Sequence, residues 1–198
     1  MKTAFILCGA LAHEVLAVID RYGWDVDLVG VLAIDHMYPE RIAPDVDKRF
    51  QQLREKYDRI FVVFGDCGSR GALDQLLERC GLERIDGPHC YEMYAGQGFH
   101  DLMEEEPGTF FLTDFLVRSF RGAILKGLGL DRYPELRDEY FRNYKHLVYL
   151  IQKEDPELVE KANSIALHLG LPLEIRYTGY GLLEQRLVAK MDGENTIE

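Results

Sequence analysis

The chain has 198 residues, 47% of them hydrophobic and 29% charged, and its 23 Lys and Arg against 34 Asp and Glu give a formal charge of −11. That length suits an α/β domain with a sizeable core, and the acidic balance argues against nucleic acid or an anionic membrane surface as the main partner, since phosphate neutralisation needs clustered Lys and Arg. Small anions stay open as ligands, because backbone N–H groups at helix starts bind them without cationic side chains.

In chain order, "TAFILC" (3–8) reads as a strand and "HEVLAVIDRY" as the helix after it. His13, Glu14 and Asp20 interrupt the apolar N-terminal stretch and Gly9 divides it, which suits a strand–helix unit better than a targeting segment. No run approaches the roughly 18 apolar residues of a membrane span, so the expectation is a cytoplasmic protein. "DVDLVGVLAI" (25–34) holds the second strand, and "VDKRFQQLREKY" is an amphipathic helix with Phe50, Leu53 and Tyr57 at core spacing. "RIFVVF" (59–64) is a buried strand, "GALDQLLERC" its helix and "ERIDG" a short fourth strand. The segment from about 86 to 108 reads as irregular and joins two similar halves.

The alternation then resumes. "TFFLT" (109–113) is a strand, and "DFLVRSFRGAILKG" a helix with Asp114 as its N-cap. "PELRDEYFRNY" is helical with Pro134 in its first turn, and "HLVYLIQ" is a strand. "PELVEKANSIALHLG" is a helix stopped by Gly170, "LPLEIRYT" the last strand and "GYGLLEQRLVAK" the closing helix. The expected fold is α/β: a mostly parallel sheet with helices on both faces, built as two Rossmann-like βα halves. One compact domain over 1–190, with halves at about 1–98 and 99–190, is followed by a flexible tail at 191–198.

Ligands of open parallel sheets bind beyond the carboxyl ends of the strands. Cys8 and Gly9 follow the first strand, and Gly65, Asp66, Cys67 and Gly68 the third; His89, Cys90 and Glu92 follow the fourth, and Thr178 and Gly179 the last. Three of the four cysteines therefore occupy strand-to-helix turns at one predicted sheet edge, while Cys80 sits at a helix end as a core residue. No CxxC pair is present, so zinc-ribbon and thioredoxin patterns have no support. Convergent thiolates suit zinc or an iron–sulfur centre. Cys8, Cys67, Cys90 and His89 are the candidate metal ligands, with Glu92 in support, and a three-ligand centre keeps an open position for chemistry.

"GDCGSRG" lacks the Gly-Lys-Ser/Thr ending of a Walker loop and the spacing of a dinucleotide fingerprint. Its Gly65, Asp66, Gly68 and Ser69, with Thr178 and Gly179, are instead candidates to cradle a phosphate or carboxylate. The competing chemistry is metal-free: Cys67 as nucleophile and His89 as base, with Asp66, Asp114 or Glu105 nearby, in a small-molecule enzyme or binding module. Glu14 is a helix-surface or capping residue that can turn towards the site. The three glutamates at 104–106 read as a solvated face, and the tyrosines between 133 and 149 as core or interface.

Taken together, "GDCG", "HCYE", "EEPGTFFLTDFL", "GLGLD…PEL", "NY…LVYL" and "TGYG" resemble domain-of-unknown-function family 1638, proteins of anaerobic archaea and bacteria, over about Cys8 to Gly181. Members are often encoded near corrinoid methyltransferases. The resemblance implies a setting in anaerobic one-carbon metabolism and methyl transfer, with corrinoid methyltransferase proteins as partners, and assigns no reaction. That setting favours iron–sulfur, whereas histidine and glutamate near the thiols favour zinc. A partner-subunit role and a homo-oligomer are compatible with the acidic, tyrosine-rich composition.

Overall fold

The computed structural model describes residues 2–193, which form two compact units, one of residues 2–90 with 183–193 and the other of residues 91–182. The expected α/β class is present, with the parallel strands divided between two sheets.

In the first unit, β1 (Thr3–Cys8), β2 (Val26–Val31), β3 (Arg59–Val63) and β4 (Glu83–Arg84) form a parallel sheet in the order β2-β1-β3-β4. Every residue of β1 is buried, as are Phe61, Val62 and Val63 of β3. A strand covered on both faces must be apolar at successive positions, which is why "TAFILC" and "IFVV" run without alternation. This unit also holds α1 (Ala12–Tyr22), α2 (Ile42–Leu53), α3 (Ala72–Cys80) and the last helix from Leu183 onward.

In the second unit, β5 (Thr109–Thr113), β6 (His146–Ile151) and β7 (Leu173–Tyr177) form a parallel sheet with β6 central. Its helices are α4 (Cys90–Ala95), α5 (Gln97–Glu105), α6 (Asp114–Phe120), α7 (Arg137–Phe141) and α8 (Pro156–Leu169), and α9 (Gly181–Asp192) starts at the end of this unit. The core sets Leu112, Leu147 and Tyr149 of the sheet against Val117 and Phe120 of α6 and Leu158, Ala162 and Ile165 of α8. Asp155 caps α8 by accepting from the N–H groups of Glu157 and Leu158 at 3.0 and 3.4 Å, and Gly170 ends it as expected.

Several boundaries differ from the sequence reading. The second helix begins at Ile42 and stops at Leu53. Tyr57 therefore lies beyond it, and its hydroxyl donates to Asp27 at 2.8 Å instead of entering the core. The irregular stretch at 86–108 contains α4 and α5, because Met93, Tyr94, Phe99 and Leu102 supply a buried face. Thr113, not Asp114, caps α6, its hydroxyl accepting from Leu116 N–H at 3.3 Å. The helix then widens to π geometry over Arg121–Lys126. Cys80 is half-buried. At the C-terminus Met191 and Asp192 continue α9, so the helix runs into the expected tail, whose residues 194–198 lie outside the described residues. From Leu183 onward α9 belongs to the first unit: Glu184 pairs with Arg21 at 2.6 Å, Lys190 with Glu83 at 2.7 Å, and the Lys190 carbonyl accepts from Arg59 at 2.7 Å.

Gly181, at the start of α9, has φ +52, and a Cβ there would lie 2.8 Å from the Tyr94 carbonyl carbon and 3.0 Å from the Met93 oxygen. Backbone atoms cannot rotate away as a side chain would. Gly181→Ala is expected to destabilise the protein by roughly 2–4 kcal/mol through left-handed strain plus overpacking. Urea denaturation checks this; a midpoint like the wild type's would refute the close approach.

Among the described residues no helix is long and apolar enough to cross a membrane.

Candidate functional site

The order β2-β1-β3-β4 sends the chain from β1 to one side and returns it as β3 on the other. The carboxyl ends of β1 and β3 therefore flank a topological switch point, where an open parallel sheet leaves a crevice. Cys8 is the last residue of β1 and is 2% exposed. It caps a 3-10 turn over Gly9–Leu11, its sulfur accepting from Ala10 N–H at 3.4 Å.

The loop after β3 is organised around Asp66. Its carboxylate accepts from Ser69 Oγ at 2.8 Å and from the N–H groups of Gly71 at 2.9 Å, Gly68 at 3.2 Å and Arg70 at 3.3 Å. Burial opposes the charge on Asp66, but these donors outweigh it and hold the carboxyl below its ordinary pKa. The N–H groups expected to cradle an external anion thus already face an internal one, and Ser69 N–H donates to the Asp66 carbonyl at 2.8 Å. Within this clamp Cys67 has φ +48 and Arg70 φ +54, the only non-glycine residues with positive φ among those described. A bulky residue adopts that region only when its surroundings over-determine it.

Gly65 brings the third cysteine in. A Cβ on Gly65 would fall 2.9 Å from the Cα and N of His89 and from the Pro88 oxygen. Only a bare α-carbon lets the 87–89 segment lie this close. Asp66 N–H donates to Gly87 O at 3.3 Å and Cys67 N–H to Pro88 O at 2.8 Å, prolonging the β3–β4 pairing beyond β4. Cys90 follows directly and opens α4.

All three thiols are held above their ordinary pKa. Burial pushes the Cys8 thiol up to about 12, with a further rise from Cys67. Burial pushes Cys67 up to about 11, against a lowering by Gly65 N–H. Cys90 is raised well above the usual thiol value, by burial first, then by Cys67, Cys8 and Glu14. Part of residues 67 and 90 reaches the surface, but their thiols are desolvated. At neutral pH all three are protonated.

The turn after β2 adds residues that the sequence reading missed. Cys8 pairs in register with Val31, so the 3-10 turn Ala33–Met37 emerges beside the end of β1. His36 Nδ1 lies 2.9 Å from Ala33 O and Nε2 lies 3.9 Å from Cys8 Sγ, and the ring stacks on Phe64 at 5.7 Å and 17°. Burial lowers its pKa, so the imidazole is neutral. Asp35 is 2% exposed, and its Oδ2 has no hydrogen-bond partner among the described residues. Burial and then neighbouring Asp45 raise its pKa. Glu14, expected on the helix surface, is 3% exposed and acts on Cys90. The only available signal was "IDHM" directly after a predicted strand.

The remaining candidates divide between the units. His89 belongs to the first, with its backbone against Gly65. Glu92, Glu105, Asp114, Thr178 and Gly179 belong to the second. Glu92 is buried on α4. Thr178 Oγ1 donates to Ile151 O at 3.2 Å, and Gly179 N–H to the same oxygen at 3.1 Å, so both close the turn after β7. Asp114 is fully buried; it accepts from Tyr149 OH at 2.8 Å, Gln152 N–H at 3.2 Å and Lys153 N–H at 3.1 Å, with Arg118 at 3.6 Å. Its own N–H donates to Gln152 Oε1 at 2.7 Å. That network ties β5 to β6.

Among the described residues no group of three or more His, Cys, Asp or Glu is arranged to hold a metal ion as it stands. A soft ion at the switch point would have to displace the thiol protons and draw the donors inward.

A family model described as protein of unknown function (DUF1638) matches residues 33–187. No curated protein and no solved structure matches the chain.

Proposed function

We propose, for a chain that belongs to the DUF1638 family of proteins of unknown function, that Cys8, Cys67 and Cys90 bind a thiolate-held metal centre. What supports this is placement: Cys8 ends β1, Cys67 lies in the loop after the neighbouring β3, and Cys90 follows the segment packed on Gly65, with all three thiols desolvated. Such a cluster is poorly suited to ionise by itself, because each new thiolate repels the next in a medium that solvates neither. A soft cation supplies the missing charge and makes deprotonation favourable. The donor set therefore fits an iron–sulfur or zinc centre chemically.

Iron–sulfur is the first reading. The anaerobic setting implied by the family resemblance supports it. No group of three or more His, Cys, Asp or Glu among the described residues is arranged to hold a metal ion, so either centre requires the donors to move. Zinc is the second reading, favoured by the imidazole beside Cys8. Anaerobic purification followed by iron, sulfide and zinc analysis and an absorption spectrum tests both. Iron with sulfide and visible absorption, lost in Cys67→Ser, is the expected result. One zinc per chain would replace the first reading by the second, and a colourless, metal-free protein would end the proposal. A role in corrinoid-linked one-carbon metabolism, with the centre as a one-electron donor to a corrinoid methyltransferase protein, belongs to the same proposal. Failure of the reduced holoprotein to reduce a cob(II)alamin-bearing partner would remove that role.

The raised pKa of Cys67 weighs against its use as a metal-free nucleophile. At pH 7 a thiol of pKa about 11 has roughly a hundredfold less thiolate than an ordinary one. In the metal-free protein, iodoacetamide is expected to label Cys67 that much more slowly than it labels the unfolded chain. A single fast-reacting Cys67, insensitive to chelators, would favour the nucleophile instead.

A further inference from the structure

We propose that His36, through Nε2, is a ligand of this same centre and shares one metal atom with Cys8. The inference rests on the thiolate-centre reading and goes beyond it, since three cysteines with His89 would otherwise make up the donor set.

Three observations carry it. Nδ1 of His36 is 2.9 Å from the Ala33 carbonyl, which can only accept, so Nδ1 carries the proton and Nε2 keeps its lone pair. Metal-bound histidines use that same arrangement to fix their tautomer and orientation. Nε2 stands 3.9 Å from Cys8 Sγ. Two ligands of one tetrahedral metal, with bonds of about 2.05 Å to nitrogen and 2.3 Å to sulfur, lie roughly 3.6 Å apart. The pair therefore needs to close by only a few tenths of an ångström. Stacking on Phe64 fixes the plane of the ring.

The test is X-ray absorption at the edge of whichever metal the anaerobically purified protein holds, for the wild type, His36→Ala and His89→Ala. Imidazole outer-shell scattering is expected in the wild type and in His89→Ala and absent from His36→Ala. The His36→Ala protein is also expected to lose its metal to a competing chelator roughly 10–100-fold more readily. Scattering that disappears in His89→Ala but persists in His36→Ala would overturn the assignment. A wild-type centre with no imidazole would overturn it too, however the variants fold, and would leave the thiolate centre intact. A wild type without metal would instead remove the thiolate reading, and this inference with it.

Discussion

Asp66→Ala is expected to cost roughly 2–3 kcal/mol of stability and, on the proposed reading of a thiolate-held centre, to abolish metal retention, although Asp66 is not one of the proposed ligands. Its carboxylate gathers one hydroxyl and three backbone N–H groups between residues 68 and 71. Removing it leaves these donors without their acceptor and frees the loop on the C-terminal side of Cys67, whose φ is +48, while the Cys67 N–H bond to Pro88 O anchors only its N-terminal side. Relaxation of that residue into an ordinary conformation would swing its sulfur away from Cys8 and Cys90. Asp66→Asn, which keeps one acceptor oxygen but places an amide against N–H groups, should fall between the two.

The pH dependence has a definite sign. Asp66 has a lowered folded pKa, so its contribution is fully present above the unfolded carboxyl value near pH 4 and is lost as pH falls through the folded value. The stability gap between wild type and Asp66→Ala should therefore shrink below about pH 4. Urea titrations followed by Trp24, the single tryptophan, together with metal content, check both parts. An Asp66→Ala protein that keeps its metal and its midpoint would show that the clamp does not position Cys67.

Asp114→Ala is the second large effect, expected at about 3–5 kcal/mol. Here the carboxylate is fully buried and joins the start of α6 to the end of β6 through Tyr149, Gln152 and Lys153. Alanine strands the buried Gln152 N–H and Tyr149 hydroxyl and the part-buried Lys153 N–H, and leaves Arg118 without its carboxylate neighbour at 3.6 Å. Tyr149→Phe removes only one of these donors and should cost about 1–2 kcal/mol. Burial and then Asp114 raise the Tyr149 pKa, so the hydroxyl stays a donor over the whole working pH range. Far-UV circular dichroism in urea measures both variants. A cost below about 1 kcal/mol for Asp114→Ala would mean that the network is replaced by water at no penalty.

The comparison of sequence with structure turns on what kind of signal each residue carries. "TAFILC", "IFVV" and "HLVYLI" are unbroken apolar runs, and a run of that length between turn signals has little choice but a doubly covered parallel strand. Cys8, Cys67 and Cys90 stood out because a strand end marks a position in the sheet whatever its partners are. By contrast, Asp114 looked like a helix cap, since the local pattern cannot show that Thr113 takes the cap and frees the carboxylate for β6. Tyr57 looked like core because periodicity continues on paper after the helix has ended at Leu53.

Sequence alone determined the α/β class, the parallel strands and the chain positions of the thiols, because these follow from local periodicity and turn chemistry. Tertiary structure decided which strands neighbour one another, and hence that Cys8 lies beside His36 and at the end of the strand paired with β3, whose following loop carries Cys67. It also decided that the Asp66 loop folds onto its own carboxylate. The physical reason is that strand order and loop approach are set by contacts between residues far apart in the chain, such as Gly65 against His89, and no local pattern encodes them.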